Sequence, residues 1–278
     1  MSSTSRNITA EFIDDPEGIR AFIDHVESQK ANAQPFLYID LEGVKLSRDG
    51  TVCLLTVLLT SGPGRERFYL IDIQALQHSA FTTINDRGTT LKDILEDPEI
   101  LKVFFDVRND SDALYAHYFV KLEGIRDVQL MESATRTTTP QRKLISGLSR
   151  CIEATLAGQE KLQWKRSKDD GEKLWNPEKG GSYSVFEIRP LSAEVLAYCV
   201  GDVQYLPRLY RKYKKGTERW NALIAQASQD RVLASQHPGY MPHGRHKALS
   251  SWTPEQNTLL DSWSEVGAVK DYGYYDDY

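Results

Sequence analysis

Cysteine is scarce in this chain: Cys53, Cys151 and Cys199 are the only three among 278 residues. Their odd number and wide spacing argue against a disulfide framework and against a zinc-ligand pattern. The six histidines are scattered and show no HExxH spacing, so the usual zinc-hydrolase helix is missing as well. Long apolar runs are lacking too. Met1 to Gly18 has no apolar signal core and no stretch is long enough to span a membrane, so a reducing compartment, cytoplasm or nucleus, is expected. There is no internal repeat. Positive charge is not in excess either: the net charge is −5, which does not point to nucleic acid. A basic face can nevertheless sit within an acidic whole. What remains is ordinary globular composition, 40% hydrophobic and 26% charged. The length suffices for one large domain or two small ones around a sizeable core.

The most informative stretch is Phe36-Leu37-Tyr38-Ile39-Asp40-Leu41-Glu42-Gly43. Its apolar run reads as a buried strand ending in two acids. Side chains alternate along a strand, so Asp40 and Glu42 point to the same side. Carboxylates held side by side repel and tend to stay protonated unless a cation joins them. A hard divalent ion such as Mg²⁺ is the usual choice. Taken alone, the stretch reads first as a strand end capped by solvated acids, so the matching residues downstream decide.

In chain order, Ile8 to Ile13 suits a short edge strand. Ile19, Phe22, Ile23 and Val26 have helical spacing, with Asp15 as cap and Pro16 in the first position. Turns at Leu46–Gly50 and Ser61–Gly64 separate the first strand from Val52–Leu59 and from Phe68–Ile73, an antiparallel meander. Thr89–Leu95 reads as a short helix and Leu101–Asp106 as a fourth strand. A helix begins near Asn109 or Asp110, where acids also serve as caps. Val128–Met131 reads as a fifth strand and Gln141–Leu156 as a helix ending at Gly158. Residues 159–181 read as a charged surface insert. Ser192 caps a helix with Val195, Leu196, Cys199 and Val203 on its apolar stripe. Tyr198 and Asp202, four residues apart, share one face of it. Pro207 implies a kink or a new helix start. Further helices are expected at Asn221–Ala234 and after the capping box Thr253-Pro254-Glu255-Gln256. The acidic, tyrosine-rich end, Asp271–Tyr278, is expected to be disordered or docked.

The ordered set Asp-x-Glu, then Asp, then Tyr-x-x-x-Asp resembles the tyrosine-bearing branch of the DEDD superfamily of 3′–5′ exonucleases. The segments FLYIDLEGVKLSRDGTVCLLTV, KVFFDVRNDSDALY and RPLSAEVLAYCVGDVQYLPRLY are similar to RNase D-type and Egalitarian-like domains, including those of the piRNA pathway. The likeness runs from about Ile8 to Lys215. It implies a ribonuclease H-like α/β fold, a mixed five-stranded sheet flanked by helices. It implies a domain over residues 8–220 and a helical or loop extension over 221–278. It implies Asp40, Glu42, Asp110 and Asp202 as ligands for two Mg²⁺ or Mn²⁺ ions, and Tyr198 as the residue that orients the attacking water. The implied activity is removal of nucleoside 5′-monophosphates from the free 3′ end of single-stranded RNA or DNA, with RNA favoured. The pattern departs from the family at Phe105, where a histidine is common.

Other residues read more ambiguously. Asp112 suits a cap or the surface, and Asp72 and Asp106 suit structural roles at strand ends. Arg108 suits either a phosphate contact or a salt bridge. From Pro140 to Lys215 there are 15 Lys or Arg against 9 Asp or Glu. Within that stretch Lys161, Lys165, Arg166 and Lys168, with Trp164, could track a single strand by charge and stacking, or could form a solvated segment with the indole turned inward. A non-catalytic adaptor on the same fold is the competing class. Adaptors tend to lose carboxylates, and this chain keeps four of them and the tyrosine, which favours catalysis.

Overall fold

The computed structural model describes residues 10–30, 37–62 and 64–269. Six strands form one sheet: β1 (Ala10–Ile13), β2 (Leu37–Glu42), β3 (Leu54–Thr60), β4 (Glu66–Asp72), β5 (Lys102–Phe104) and β6 (Ile125–Asp127). Their spatial order is β1-β4-β3-β2-β5-β6. The meander β2-β3-β4 is antiparallel. β5 joins β2 and β6 joins β5 in parallel. The sheet therefore has six strands where five were expected. The sixth is β1, within the edge strand expected at Ile8 to Ile13 and beyond the five that the resemblance implied; it lies parallel on β4 with Ala10 opposite Phe68. The expectations for Met1–Asn7, Ile8, Phe36, Pro63 and Asp271–Tyr278 lie outside the described residues.

Eight helices of seven residues or more are present among the described residues: α1 (Pro16–Ser28), α2 (Arg108–Tyr118), α3 (Val128–Ala134), α4 (Gly158–Trp175), α5 (Ala193–Val203), α6 (Leu206–Tyr213), α7 (Glu218–Gln236) and α8 (Pro254–Val269). Local chemistry explains several starts. The Asp15 side chain accepts from the Gly18 N–H, with Pro16 in the first turn. Ser192 accepts from the Val195 N–H at the head of α5. Pro207 lies in the first turn of α6, so it starts a new helix.

The two faces of the sheet bury two cores. Leu37, Ile39 and Leu41 of β2 pack into one, with Ile19, Phe22 and Ile23 of α1 and Leu114 of α2. Tyr38, on the other face, packs into the second with Val195, Cys199 and Val203 of α5. Strand alternation therefore turns Asp40 and Glu42, in phase with Tyr38, toward the face that α5 covers.

Three expected elements differ. Val128–Met131 is the first part of α3, and the fifth strand of the expected set is Ile125–Asp127. A four-residue apolar run carries no period that separates strand from helix. Asp127 accepts from the Gln129 N–H and so turns the chain into a helix at once. The helix expected over Gln141–Leu156 is broken into single turns at Thr139–Arg142 and Leu148–Glu153. Between them Leu144 forms a β-bridge with Leu249, and the Ile145 N–H donates to the Ala248 carbonyl. The insert expected over 159–181 is instead mostly one 18-residue helix, α4.

Helix α7 starts at Glu218, ahead of the expected boundary at 220, and packs on α2 and β6. Its Arg231 is 3% exposed. The guanidinium donates to Asp127 Oδ2 at 2.8 Å and to Gln129 Oε1 at 2.9 Å. Asp127 is fully buried and also accepts from the N–H groups of Asp106, Val107 and Gln129. Removing one partner of a buried pair leaves an uncompensated charge. Arg231→Ala is therefore expected to cost about 3–5 kcal/mol. Urea unfolding checks it, and a loss under 1 kcal/mol would reject the argument.

Candidate active site

Three segments meet at the C-terminal ends of β2 and β5. Asp40 and Glu42 leave β2 on the face covered by α5, and α5 crosses β2 and β3. That crossing brings in Tyr198 and Asp202, one helical turn apart. Carboxylate oxygens of Asp40, Glu42 and Asp202 all lie within 4.8 Å of one another. Asp110 enters from the first turn of α2, 6% exposed. Its Oδ1 is buried without a hydrogen-bond partner.

Burial and proximity together raise the proton affinity of Asp40, Glu42 and Asp110. Burial pushes Asp40 well above the usual carboxylate range, and the charges of Asp110 and Asp202 push it further, against the pull of Lys168. Glu42 is raised by burial, then by Asp40 and Asp202. Asp110 is pushed up to about 7 by burial and by Asp106. Burial, followed by the charges of Asp202, Glu42 and Asp40, also raises Tyr198, so its hydroxyl stays protonated at neutral pH. The arrangement fits divalent ions: the donors are all hard oxygens, one buried oxygen has no partner, and the negative charge exceeds the local positive charge.

Lys168 is the residue that sequence reasoning placed in a strand-tracking group, yet it sits inside this cluster. Its Nζ is 2.8 Å from Asp202 Oδ1 and 3.5 Å from the Tyr198 hydroxyl. It also lies 4.7 Å from the centre of the Tyr198 ring. Helix α4 holds it there. Trp164, Lys168, Gly171 and Trp175 recur at helical spacing, and that period was the available signal. A Cβ on Gly171 would stand 2.5 Å from Cδ2 of Tyr198, so the absent side chain is what lets α4 lie against the ring.

The other expected contacts are placed as follows. Arg108 holds Asp106 through Nε at 2.5 Å and Nη2 at 2.6 Å, and donates to the Lys247 carbonyl. Trp164 is 7% exposed and turned into the second core. Lys165 pairs with Glu153 at 3.0 Å, and Arg166 is exposed. Asp112 is neither cap nor surface: it is 1% exposed and bound by Arg48, through the backbone N–H at 2.8 Å and Nε at 2.6 Å. The same guanidinium donates to the carbonyls of Ser235, His237 and Pro238, a tie across about 190 residues that no local pattern reveals. Asp72 caps a short turn and binds Arg189. Lys247 also comes from the C-terminal region and donates to Asn109 Oδ1 and to the Tyr240 hydroxyl, beside Asp110.

Two cavities flank Tyr198. One of about 550 Å³ is lined by Glu42, Asn109, Trp175, Tyr183, Phe186 and Tyr198, among others. The other, of about 570 Å³, lies between α4 and α5.

The family profile described as 3′-5′ exonuclease matches residues 10–218. The chain belongs to this 3′-5′ exonuclease family, and its fold is RNase D-like. It is 36% identical over 99 residues to the piRNA biogenesis protein EXD1 of Mus musculus, and 34% over 112 residues to that of Homo sapiens. These segments are 36% and 40% of this chain but only 15% and 19% of those relatives. Among solved structures it is similar to Trypanosoma brucei RNase D with GMP: TM-score 0.68, 21% identity, covering 92% of this chain and 71% of that one. The same enzyme with RNA U12 gives TM-score 0.66 and 19% identity, over 92% and 80%. The catalytic core of T. brucei RRP6 gives 0.58 and 16%, over 84% and 54%. Residues 10–218 thus form a domain of this family, in a chain that spans less than a fifth of the curated relatives it matches.

Two outcomes are expected. Gly171→Ala forces α4 or Tyr198 to move and should destabilise by about 1–3 kcal/mol. Gly201→Ala, in α5, meets only Gln204 Nε2 at 3.9 Å and should be neutral or stabilising by up to about 1 kcal/mol. Equal effects in thermal unfolding would contradict the packing. The second outcome concerns pH. Asp40, Glu42 and Asp110 bind protons more tightly folded than unfolded, where Asp titrates at about 3.9. Their stabilising effect is complete below that value and is lost as pH rises toward the folded value, about 7 for Asp110. In EDTA the unfolding temperature should fall over this interval, and Asp110→Asn should flatten the fall. An unchanged slope in that variant would exclude Asp110 as its source.

Proposed function

We propose that the chain trims single-stranded RNA from a free 3′ end, releasing nucleoside 5′-monophosphates with two Mg²⁺ or Mn²⁺ ions bound. Asp40, Glu42, Asp110 and Asp202 would hold the ions. When bound, these ions supply Lewis acidity toward the phosphate and lower the pKa of a bound water. Four carboxylates from three separate elements offset much of their charge. The neutral Tyr198 hydroxyl, one turn from Asp202, holds the attacking water in line with phosphorus, a positioning role. The aromatic wall of Trp175, Tyr183 and Phe186 beside Glu42 offers rings on which a base could stack.

The observation that carries this reading is the convergence of Asp40, Glu42 and Asp202 within 4.8 Å beside Tyr198, in a chain of the 3′-5′ exonuclease family. Preference for RNA draws on the likeness to RNase D structures described with RNA and with GMP. An intracellular setting, cytoplasmic or nuclear, accords with the free cysteines Cys53, Cys151 and Cys199. Among the described residues no helix is long and apolar enough to cross a membrane.

The test incubates purified protein with matched 5′-labelled single-stranded RNA, single-stranded DNA and duplex, in Mg²⁺, Mn²⁺ or EDTA. The expected result is a metal-dependent ladder shortened from the 3′ end, fastest on RNA, with mononucleotides released. Asp40→Ala should abolish it while circular dichroism stays native. Tyr198→Phe should slow turnover by about 100-fold with little change in metal dependence. Full activity of Asp40→Ala would end the mechanism, and faster DNA trimming would reassign the substrate.

A further inference from the structure

The four carboxylates cannot all carry charge side by side without a cation, and one cation is already built into the chain. The Lys168 ammonium lies 2.8 Å from Asp202 Oδ1, the ligand that α5 contributes. The side chains of Lys168 and Asp202 are 15% and 10% exposed, so water screens the pair little. Neighbouring lysines of α4 are engaged elsewhere: Lys165 with Glu153 and Lys173 with Asp170. Only Lys168 of these turns inward, and Gly171 fixes the distance by seating α4 against the Tyr198 ring.

We propose that Lys168 is a resident countercation, a latch that holds Asp202 and Tyr198 while the site is metal-free and gives way when divalent ions arrive. This rests on the two-ion reading above. Two divalent ions bring four positive charges to ligands that one ammonium now neutralises in part, so ammonium and ions compete for Asp202. Lysine suits the task. Its charge is compact and its four-carbon stem swings freely. The cavity of about 570 Å³ between α4 and α5 is lined by Lys168 itself and by Glu194, which provides room and an acidic partner for the displaced head. The consequence is a threshold: the site stays closed by its own cation until the divalent concentration is high enough to exchange it.

The experiment follows thermal unfolding of the full chain without nucleic acid, in EDTA and across Mn²⁺ and Mg²⁺ titrations. The variants are Lys168→Met, Lys168→Gln, Lys168→Arg and, as a control on the outer face of α4, Lys165→Met. Lys168→Met should lower the unfolding temperature in EDTA, enlarge the rise caused by metal, and reduce the half-saturating Mn²⁺ concentration by about tenfold, equivalent to about 1.4 kcal/mol. Lys168→Gln keeps a donor for Asp202 without the charge. It should shift in the same direction, and it serves should the methionine variant fail to fold. Lys165→Met should titrate like the wild type, and Lys168→Arg, which keeps the charge, should show no gain in metal affinity. Unchanged or weaker metal binding in both neutral variants, with the wild type still responding to metal, would overturn the latch alone. No response to metal in the wild type would overturn the ligand assignment and the latch together.

Discussion

Like charges gathered in a poorly hydrated space are the constraint on which the rest of this structure depends. Burial, and then the charges of neighbouring acids, raise the proton affinity of Asp40, Glu42 and Asp110. A folded chain keeps such a cluster only when other interactions hold the carriers in place. Here the carriers are a central strand, the first turn of α2 and the middle of α5, each anchored in one of two cores. The repulsion is a stored demand for cations, and it explains why the site is built on rigid elements rather than on loops.

A second layer of charge supports the first. Arg231 binds Asp127, which holds the N–H groups of Asp106 and Val107 just ahead of α2. Arg108 binds Asp106, and Arg48 binds Asp112 on the next part of the same helix. These pairs fix where Asp110 points without touching it. Helix α7 and the segment around Lys247 reach back to the same corner, so residues beyond 220 shape the surroundings of the acids. The basic side chains there act inside the protein, which is why a net count of charges along the chain said little about a nucleic-acid face.

Much of the candidate site's local geometry is legible in the sequence. The alternation of β2 placed Asp40 and Glu42 on one side, and the four-residue spacing placed Tyr198 over Asp202. Both depend only on local geometry. The sequence groups Lys168 with Lys161, Lys165 and Arg166, either to track a strand or to lie in a solvated segment, because residues 159–181 look like a polar insert when taken in isolation. α4 has little apolar surface of its own, and it is the packing of Trp164 and Gly171 that orders it against α5. The misread strand at Val128–Met131 and the broken helix at Gln141–Leu156 failed for a related reason. A short apolar run is ambiguous alone, and Leu144 takes its conformation from Leu249, more than a hundred residues away.

The amino-acid sequence alone determined the acids, their local geometry and the order in which strands and helices deliver them, because periodicity and capping act within a few residues. Tertiary structure decided which charges neutralise which. Lys168 reaches Asp202, Arg48 reaches Asp112 and Arg231 reaches Asp127 only after the chain has closed on itself. Coulomb forces depend on distance in space, and distance along the chain does not reveal it.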